Sequence, residues 1–247
     1  MWKSDRNWRR LVSAQLLIVG GIALAGRTDE IAAKARQINL GNPHPETPAP
    51  QRTPPPRDRG FFQRFERGWV YWSPETGAHA VYGAIFTKWT ELRWEQGIMG
   101  FPVTDELAHP DGRGRFNDFQ GGTIYWTPTT GAHEIHGRIR DKWAQLGGTR
   151  SFLGYPLTDE TPTPGGRGRF NHFEGGSVYW TPQTDAHEVH GEIRKKWSSI
   201  GWERSPLRFP TSDEFVEGGF LRSNFEGGYI RWSAGTGAQV TRSVVID

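Results

Sequence analysis

The 247-residue sequence contains no cysteine. That absence excludes a disulfide framework, a thiolate metal site and a cysteine nucleophile, so rigidity has to come from aromatic packing and turn chemistry. Neither a G-x-S-x-G elbow nor an H-E-x-x-H helix occurs, which removes two common hydrolase signatures. Positive charge is scarce over most of the chain: residues 1–60 carry 10 Lys or Arg against 5 Asp or Glu, while residues 61–247 carry 20 against 22. A body near neutrality lacks the cationic field that a phosphate backbone demands, and nucleic acid is excluded as a partner. Long apolar runs are missing too, with one exception.

That exception is "LVSAQLLIVGGIALAG", residues 11–26, which follows Lys3, Arg6, Arg9 and Arg10. Basic residues ahead of an apolar run make an export signature. Sixteen residues span roughly 24 Å as a helix against a hydrocarbon core of about 30 Å, which favours a signal peptide ending at Ala23, Leu24 and Ala25. Trp2 and Trp8 suit an interfacial belt and a retained anchor instead. Both readings stay open for residues 1–41, and both send the rest of the chain to the cell envelope or beyond. Residues 42–60, "NPHPETPAPQRTPPPRDRG", hold seven prolines and read as an extended, semi-rigid linker.

The remainder, residues 61–247, is a tandem array. Phe65, Phe119, Phe173 and Phe225 each open an F-x-x-G unit, and Trp72, Trp126, Trp180 and Trp232 follow seven residues later, giving periods of 54, 54 and 52. Hairpin units are expected near 61–82, 112–136, 166–190 and 218–243. In "TIYW" the residues Ile124 and Trp126 share one strand face and Tyr125 takes the other, as Val178 and Trp180 do against Tyr179. The Trp face is expected to be core. "TPTTG" then turns the chain into a third strand, "AHEIH". Beyond it Ile139, Trp143 and Leu146 fall at helical spacing, as do Ile85 with Trp89 and Ile193 with Trp197. The predicted class is α+β: β-rich tandem repeats, each a three-stranded meander plus a short helix in about 54 residues. With nothing like the later tetrapeptides recognised before Phe61, the expectation is three complete helix-to-hairpin units behind one N-terminal hairpin.

At "IMGFPVTDE", "FLGYPLTDE" and "PLRFPTSDE", each followed by the glycine pair, the tryptophan and "G-A-H" or its variants, residues 61–247 resemble the LGFP repeat family. The resemblance implies small β-rich modules stacked as a stalk-like array, of the type found in envelope proteins as extensions of mycoloyltransferases and cell-wall hydrolases. It further implies a non-catalytic protein that binds or spans cell-wall polysaccharide or peptidoglycan. The alternative is a membrane-anchored accessory subunit whose array contacts membrane protein partners, with residues 11–26 in the membrane. Arg208, Arg231 and Gln239 depart from the repeated Gly, Tyr and His, so the last repeat is expected to cap the array or to have lost a ligand contact.

The candidate ligand-binding residues follow from chemistry at repeated positions. Tyr71, Tyr125 and Tyr179, off the Trp face, can stack on sugar rings or pack on the next module. Arg113, Arg115, Arg167 and Arg169 lie among glycines ahead of a strand, where guanidinium groups could hold an anion. His79, His133 and His187 are expected to hydrogen-bond into turns. The pairs His133/His136 and His187/His190 project to opposite faces of a strand and are not read as a metal site. Asp105/Glu106, Asp159/Glu160 and Asp213/Glu214 are adjacent, unlike the opposed carboxyls of a glycosidase, and are read as turn caps. No catalytic residue, metal or cofactor is expected.

Overall fold

A computed structural model of the chain describes residues 26–54 and 59–243. The expected signal or anchor segment over residues 11–26 lies outside the described residues except for Gly26. No helix among the described residues is long and apolar enough to cross a membrane. The chain divides into two units, residues 1–107 with 117–120 and residues 108–116 with 121–247.

In the first unit, residues 26–37 form helix α1. Strands β1 (Gln51–Arg52), β2 (Phe61–Phe65), β3 (Gly68–Ser73) and β4 (Gly77–Val81) pair antiparallel in that order, and helix α2 (Gly83–Glu91) follows. The β2–β3 hairpin sets Phe61 opposite Trp72 and Phe65 opposite Gly68, and the strand period of two then sorts the side chains. Val70 and Trp72 join Phe65 and Ala80 on the face that packs against Ile31 and Ala35 of α1 and against Leu40. Tyr71 points to the opposite face and meets Trp89 of α2 edge-on, with ring centres 4.6 Å apart. Both faces are therefore covered: Val70 is 0% exposed and Tyr71 5%. The β3–β4 turn is locked by a buried hydroxyl, since the Thr76 amide donates to Ser73 Oγ at 3.1 Å and Gly77 takes φ +76°.

The remaining sheets repeat this plan. They comprise β5 (Leu107–Ala108), β6 (Arg115–Phe119), β7 (Gly122–Thr127) and β8 (Gly131–His136); β9 (Thr161–Pro162), β10 (Arg169–His172), β11 (Gly176–Thr181) and β12 (Asp185–His190); and β13 (Phe215–Glu217), β14 (Phe220–Phe225), β15 (Gly228–Ser233) and β16 (Gly237–Arg242). Helix α3 (Gly137–Gln145) follows β8, and α4 (Gly191–Ser199) follows β12. Within the second unit each helix serves two sheets. Ile139 and Trp143 of α3 cluster with Ile135 of β8 and with Val178 and Ala186 of the next sheet. Ile193 and Trp197 of α4 cluster with Tyr179 and Val189 before them and with Phe225 and Ile230 after them.

Three expectations are corrected. Each sheet has a fourth strand, because the arm after the tetrapeptide adds an edge pairing such as Thr161 with Phe170 and Pro162 with Arg169. Two residues are too few to display a period, and proline is tolerated there because an edge strand has a side with no ladder to feed. The proline-rich segment is the same arm of the first repeat and not a free linker. Gln51 and Arg52 pair with Phe62 and Phe61, Thr47 Oγ1 accepts the Arg64 amide at 2.9 Å, and Thr53 Oγ1 accepts the Gly60 amide at 3.1 Å. Threonine hydroxyls thus provide the acceptors that hold a donor-poor segment in place. Finally, the first hairpin is not incomplete: α1 stands before it, and Leu40-Gly41-Asn42-Pro43 takes the place of the tetrapeptide. Gly41 has φ +85° beside +68° at Gly100 and +67° at Gly154, and Pro43 bridges Phe65 as Pro102, Pro156 and Pro210 bridge Phe119, Phe173 and Phe225.

Candidate functional site

The repeated histidines and aspartates turn out to face each other. His79 Nε2 lies 2.8 Å from the Thr76 carbonyl, and His133 Nε2 lies 3.0 Å from that of Thr130, both within the β-turn. His133 and His187 place Nδ1 at 3.1 and 3.2 Å from Asp159 and Asp213. Asp105 also accepts the Ala80 amide at 3.0 Å and Lys34 Nζ of α1 at 2.8 Å; Asp213 likewise accepts the Glu188 amide at 3.1 Å and Lys142 Nζ of α3 at 2.7 Å. Burial works to raise these two carboxyls, but hydrogen bonds from the lysine and the strand amide, with the histidine alongside at 3.7 Å for His79 and 3.2 Å for His187, hold both at about 2. Each aspartate ties a strand, a turn histidine and the helix before the sheet into one joint.

A second polar cluster was missed from the sequence. His136 Nδ1 is 2.7 Å from Glu134 Oε2, and its Nε2 is 3.3 Å from Glu160 Oε1. His190 repeats this with Glu188 at 2.7 Å and Glu214 at 3.3 Å. Glu134 and Glu188 are each 2% exposed. The available signal was the i, i+2 spacing of glutamate and histidine, which puts both on one strand face. The imidazoles lie between the carboxylates, and no group of three His, Cys, Asp or Glu fit to hold a metal occurs among the described residues.

The candidate arginines have partners inside the chain. Arg113 donates to Glu174 at 3.1 Å while its guanidinium lies 5.0 Å above the Tyr155 ring. Arg167 pairs with Glu226 at 2.8 Å and lies 5.3 Å above Phe209. Arg169 binds Glu160, and Arg115 is not free either.

The tyrosines mark a groove between each sheet and the end of the following helix. In the first unit Tyr71 forms its floor, stacked on Phe62 at 5.4 Å, while Trp69 stacks on Phe86 at 5.2 Å. Trp94 closes one side and is 45% exposed, with Arg93, Thr90 and Gln96 along the rim and the buried Glu95 in the wall. The cavity measures about 400 Å³, within the range of about 300–1,000 Å³ usual for small-ligand sites. The chain leaves α2 through two left-handed residues, Arg93 at φ +70° and Trp94 at φ +50°, and that reversal carries the indole to the groove. The Gln96 amide donates to the Pro54 carbonyl at 2.9 Å and to Glu95 Oε1 at 2.7 Å, which fixes the rim.

In the second unit Tyr125 lines an equivalent cavity of about 560 Å³ with Trp143, His109 and the glycines Gly147 and Gly148 in place of the Arg93-Trp94 pair. Above Tyr179, by contrast, Trp202 lies in a stacked arrangement at 6.3 Å, covered by the Arg194 guanidinium at 5.2 Å. Burial, with Arg194 adding to it, lowers His172 beside them to about 4 and keeps it neutral near pH 7. One scaffold position is thus an aromatic groove, a glycine-walled groove and a filled core in three successive repeats.

A scan against protein-family models matches the LGFP repeat at residues 47–97, 99–151, 153–205 and 207–247, most of the chain. The chain belongs to the LGFP repeat family. A search of curated proteins finds no match. Family membership is consistent with a repeat protein of the cell envelope. The geometry shows what the LGFP tetrapeptide does here. Leu153 and Tyr155 are both 0% exposed; Gly154 needs its positive φ, and a Cβ there would fall 2.4 Å from Glu174 Oε2. Its carbonyl accepts the Trp143 indole N–H at 3.0 Å, as Gly100 accepts that of Trp89 at 3.2 Å. In the last LGFP repeat Arg208 occupies the glycine position at φ +58°, and the buried Trp197 N–H has no acceptor among the described residues.

Proposed function

We propose that this LGFP-repeat protein is exported and binds cell-wall glycan or peptidoglycan without catalysing a reaction, using the grooves at Tyr71 and Tyr125. The observation that supports this most directly is the first groove. Five aromatic rings face a cavity whose rim carries the Thr90 hydroxyl, the Gln96 amide and the Arg93 guanidinium. A pyranose has the complementary surface: an apolar C–H face for stacking and hydroxyl edges for hydrogen bonds. The paired histidines, aspartates and glutamates are spent on joints within the chain, which supports a scaffold role for them.

Trp94 is the informative position, because an indole 45% exposed contributes little to the core. Trp94→Ala is expected to weaken retention on purified insoluble cell wall by about 3- to 10-fold, the equivalent of one stacking contact, with an unchanged thermal melt. Undiminished retention of that variant, or no retention of the wild type, would rule the reading out.

A further inference from the structure

We propose that the open face of the fourth sheet holds a carboxylate of an acidic glycan strand between Arg222 and Arg231. The proposal rests on the wall-glycan reading for the kind of polymer, and on this face alone for the site. In the first three sheets the equivalent cross-strand pairs are Phe62 with Tyr71, Phe116 with Tyr125 and Phe170 with Tyr179, stacked at 5.4, 5.6 and 5.1 Å. In the fourth, Arg222 and Arg231 stand directly opposite each other on β14 and β15. Like charges at such a position repel and destabilise a sheet unless an anion offsets them.

Both guanidinium groups are held by rings. Arg222 lies 3.9 Å from the Tyr229 ring centre and Arg231 4.5 Å from that of Phe220. Together with Glu217 and Gly218 these four line a hollow of about 170 Å³, room for a carboxylate and the carbon bearing it but too small for a whole sugar. Two ring-stacked arginines elsewhere in the chain take a carboxylate, Arg113 over Tyr155 with Glu174 and Arg167 over Phe209 with Glu226, whereas the half-buried Arg194 over Trp202 donates to Ser177 Oγ at 2.7 Å. On this face Arg222 has Glu217. Arg231 is mounted in the same manner, yet its acceptor among the described residues is the neutral Gln239 Oε1, at 3.2 Å from Nε and 3.1 Å from Nη2. A planar guanidinium with donors to spare, fixed against a ring, is arranged for a carboxylate from outside. The bland account is a solvated cap, on which Arg231 could be neutralised without consequence for binding.

The test is equilibrium binding of the full chain to polygalacturonate at low ionic strength, with methyl-esterified polygalacturonate and poly(glycerol phosphate) as comparison polymers. Polygalacturonate should bind, the methyl ester should not, and added salt should weaken the complex. Arg231→Gln should lower affinity at least about tenfold, the loss of one charge-assisted pair, with a melt no lower than that of the wild type because a like-charge contact is removed. Gln239→Glu gives Arg231 an acid within the chain and should abolish binding while keeping the fold, which secures the test if Arg231→Gln misfolds. Equal binding of the ester, preference for the phosphate polymer, unaltered binding by both variants, or no binding of polygalacturonate would each overturn the proposal. If polygalacturonate is ignored while insoluble wall still retains the wild type and releases Trp94→Ala, this site fails and the wall reading stands.

Discussion

Arg208 strains its repeat at a position where the others place glycine. A side chain at φ +58° costs roughly 1 kcal/mol or more that glycine avoids, and it coincides with the one helix tryptophan whose buried N–H has no acceptor among the described residues. Arg208→Gly should therefore raise stability by about 1 kcal/mol, measured as a higher denaturant midpoint at constant slope; a lower midpoint would mean that the arginine side chain contributes more than its backbone loses. Legibility at this scale was uneven. The departure of Arg208 from the repeated glycine was visible in the sequence, and so was the turn role of His79 and His133. The buried partnership of Glu134 with His136 was not, because a charged residue alternating with histidine on a strand reads as a solvated edge until the facing helix and arm are known.

Among the elements, α1 shows how a repeat hides. It carries Ile31 and Lys34 at the spacing of Ile139 and Lys142, but Ala35 stands where the other helices have tryptophan, and the stretch from there to Leu40 is shorter than its counterpart from Trp143 to Leu153. Without the indole the helix gives no aromatic beat, and it continues directly from an apolar run that has its own explanation. Burial reveals it: Ile31 is 0% exposed and Ala35 2%. Ile31→Ala should accordingly destabilise the first repeat by about 2–4 kcal/mol, detected as faster hydrogen exchange of β2 to β4 amides; unchanged exchange would mean that α1 is dispensable. The hairpins and α2 to α4 were legible because long periodic segments with a tryptophan fix their own faces. The edge strands were not, since pairing two residues depends on a partner far along the chain.

Over the whole molecule, ionisable joints recur in every part, and they titrate in opposite directions. Asp105 and Asp213 have carboxyls lowered to about 2 from 3.8, so their contribution is present above pH 3.8 and is lost as pH falls toward 2. For His136 burial pulls the pKa down, but the Glu134 hydrogen bond and the charges of Glu134 and Glu160 outweigh it and leave the imidazole above its ordinary 6.5; His190 is raised by the Glu188 hydrogen bond. Groups raised on folding stabilise fully below pH 6.5 and cease to do so as pH climbs through their folded values. Burial also raises Glu160 and Glu214, so these favour the folded state in the same low-pH direction. The melting temperature should thus decline on both the strongly acid side and the side above pH 6.5, and a His136→Gln, His190→Gln double variant should flatten the upper limb alone. A pH-independent melt between 6 and 9 in the wild type would contradict this.

The folding of residues 42–54 against the first sheet has one further consequence. As a polyproline rod those thirteen residues would give a tether of about 40 Å. Stitched down by Thr47 and Thr53, they contribute no slack between α1 and the first sheet, so these two move as one body.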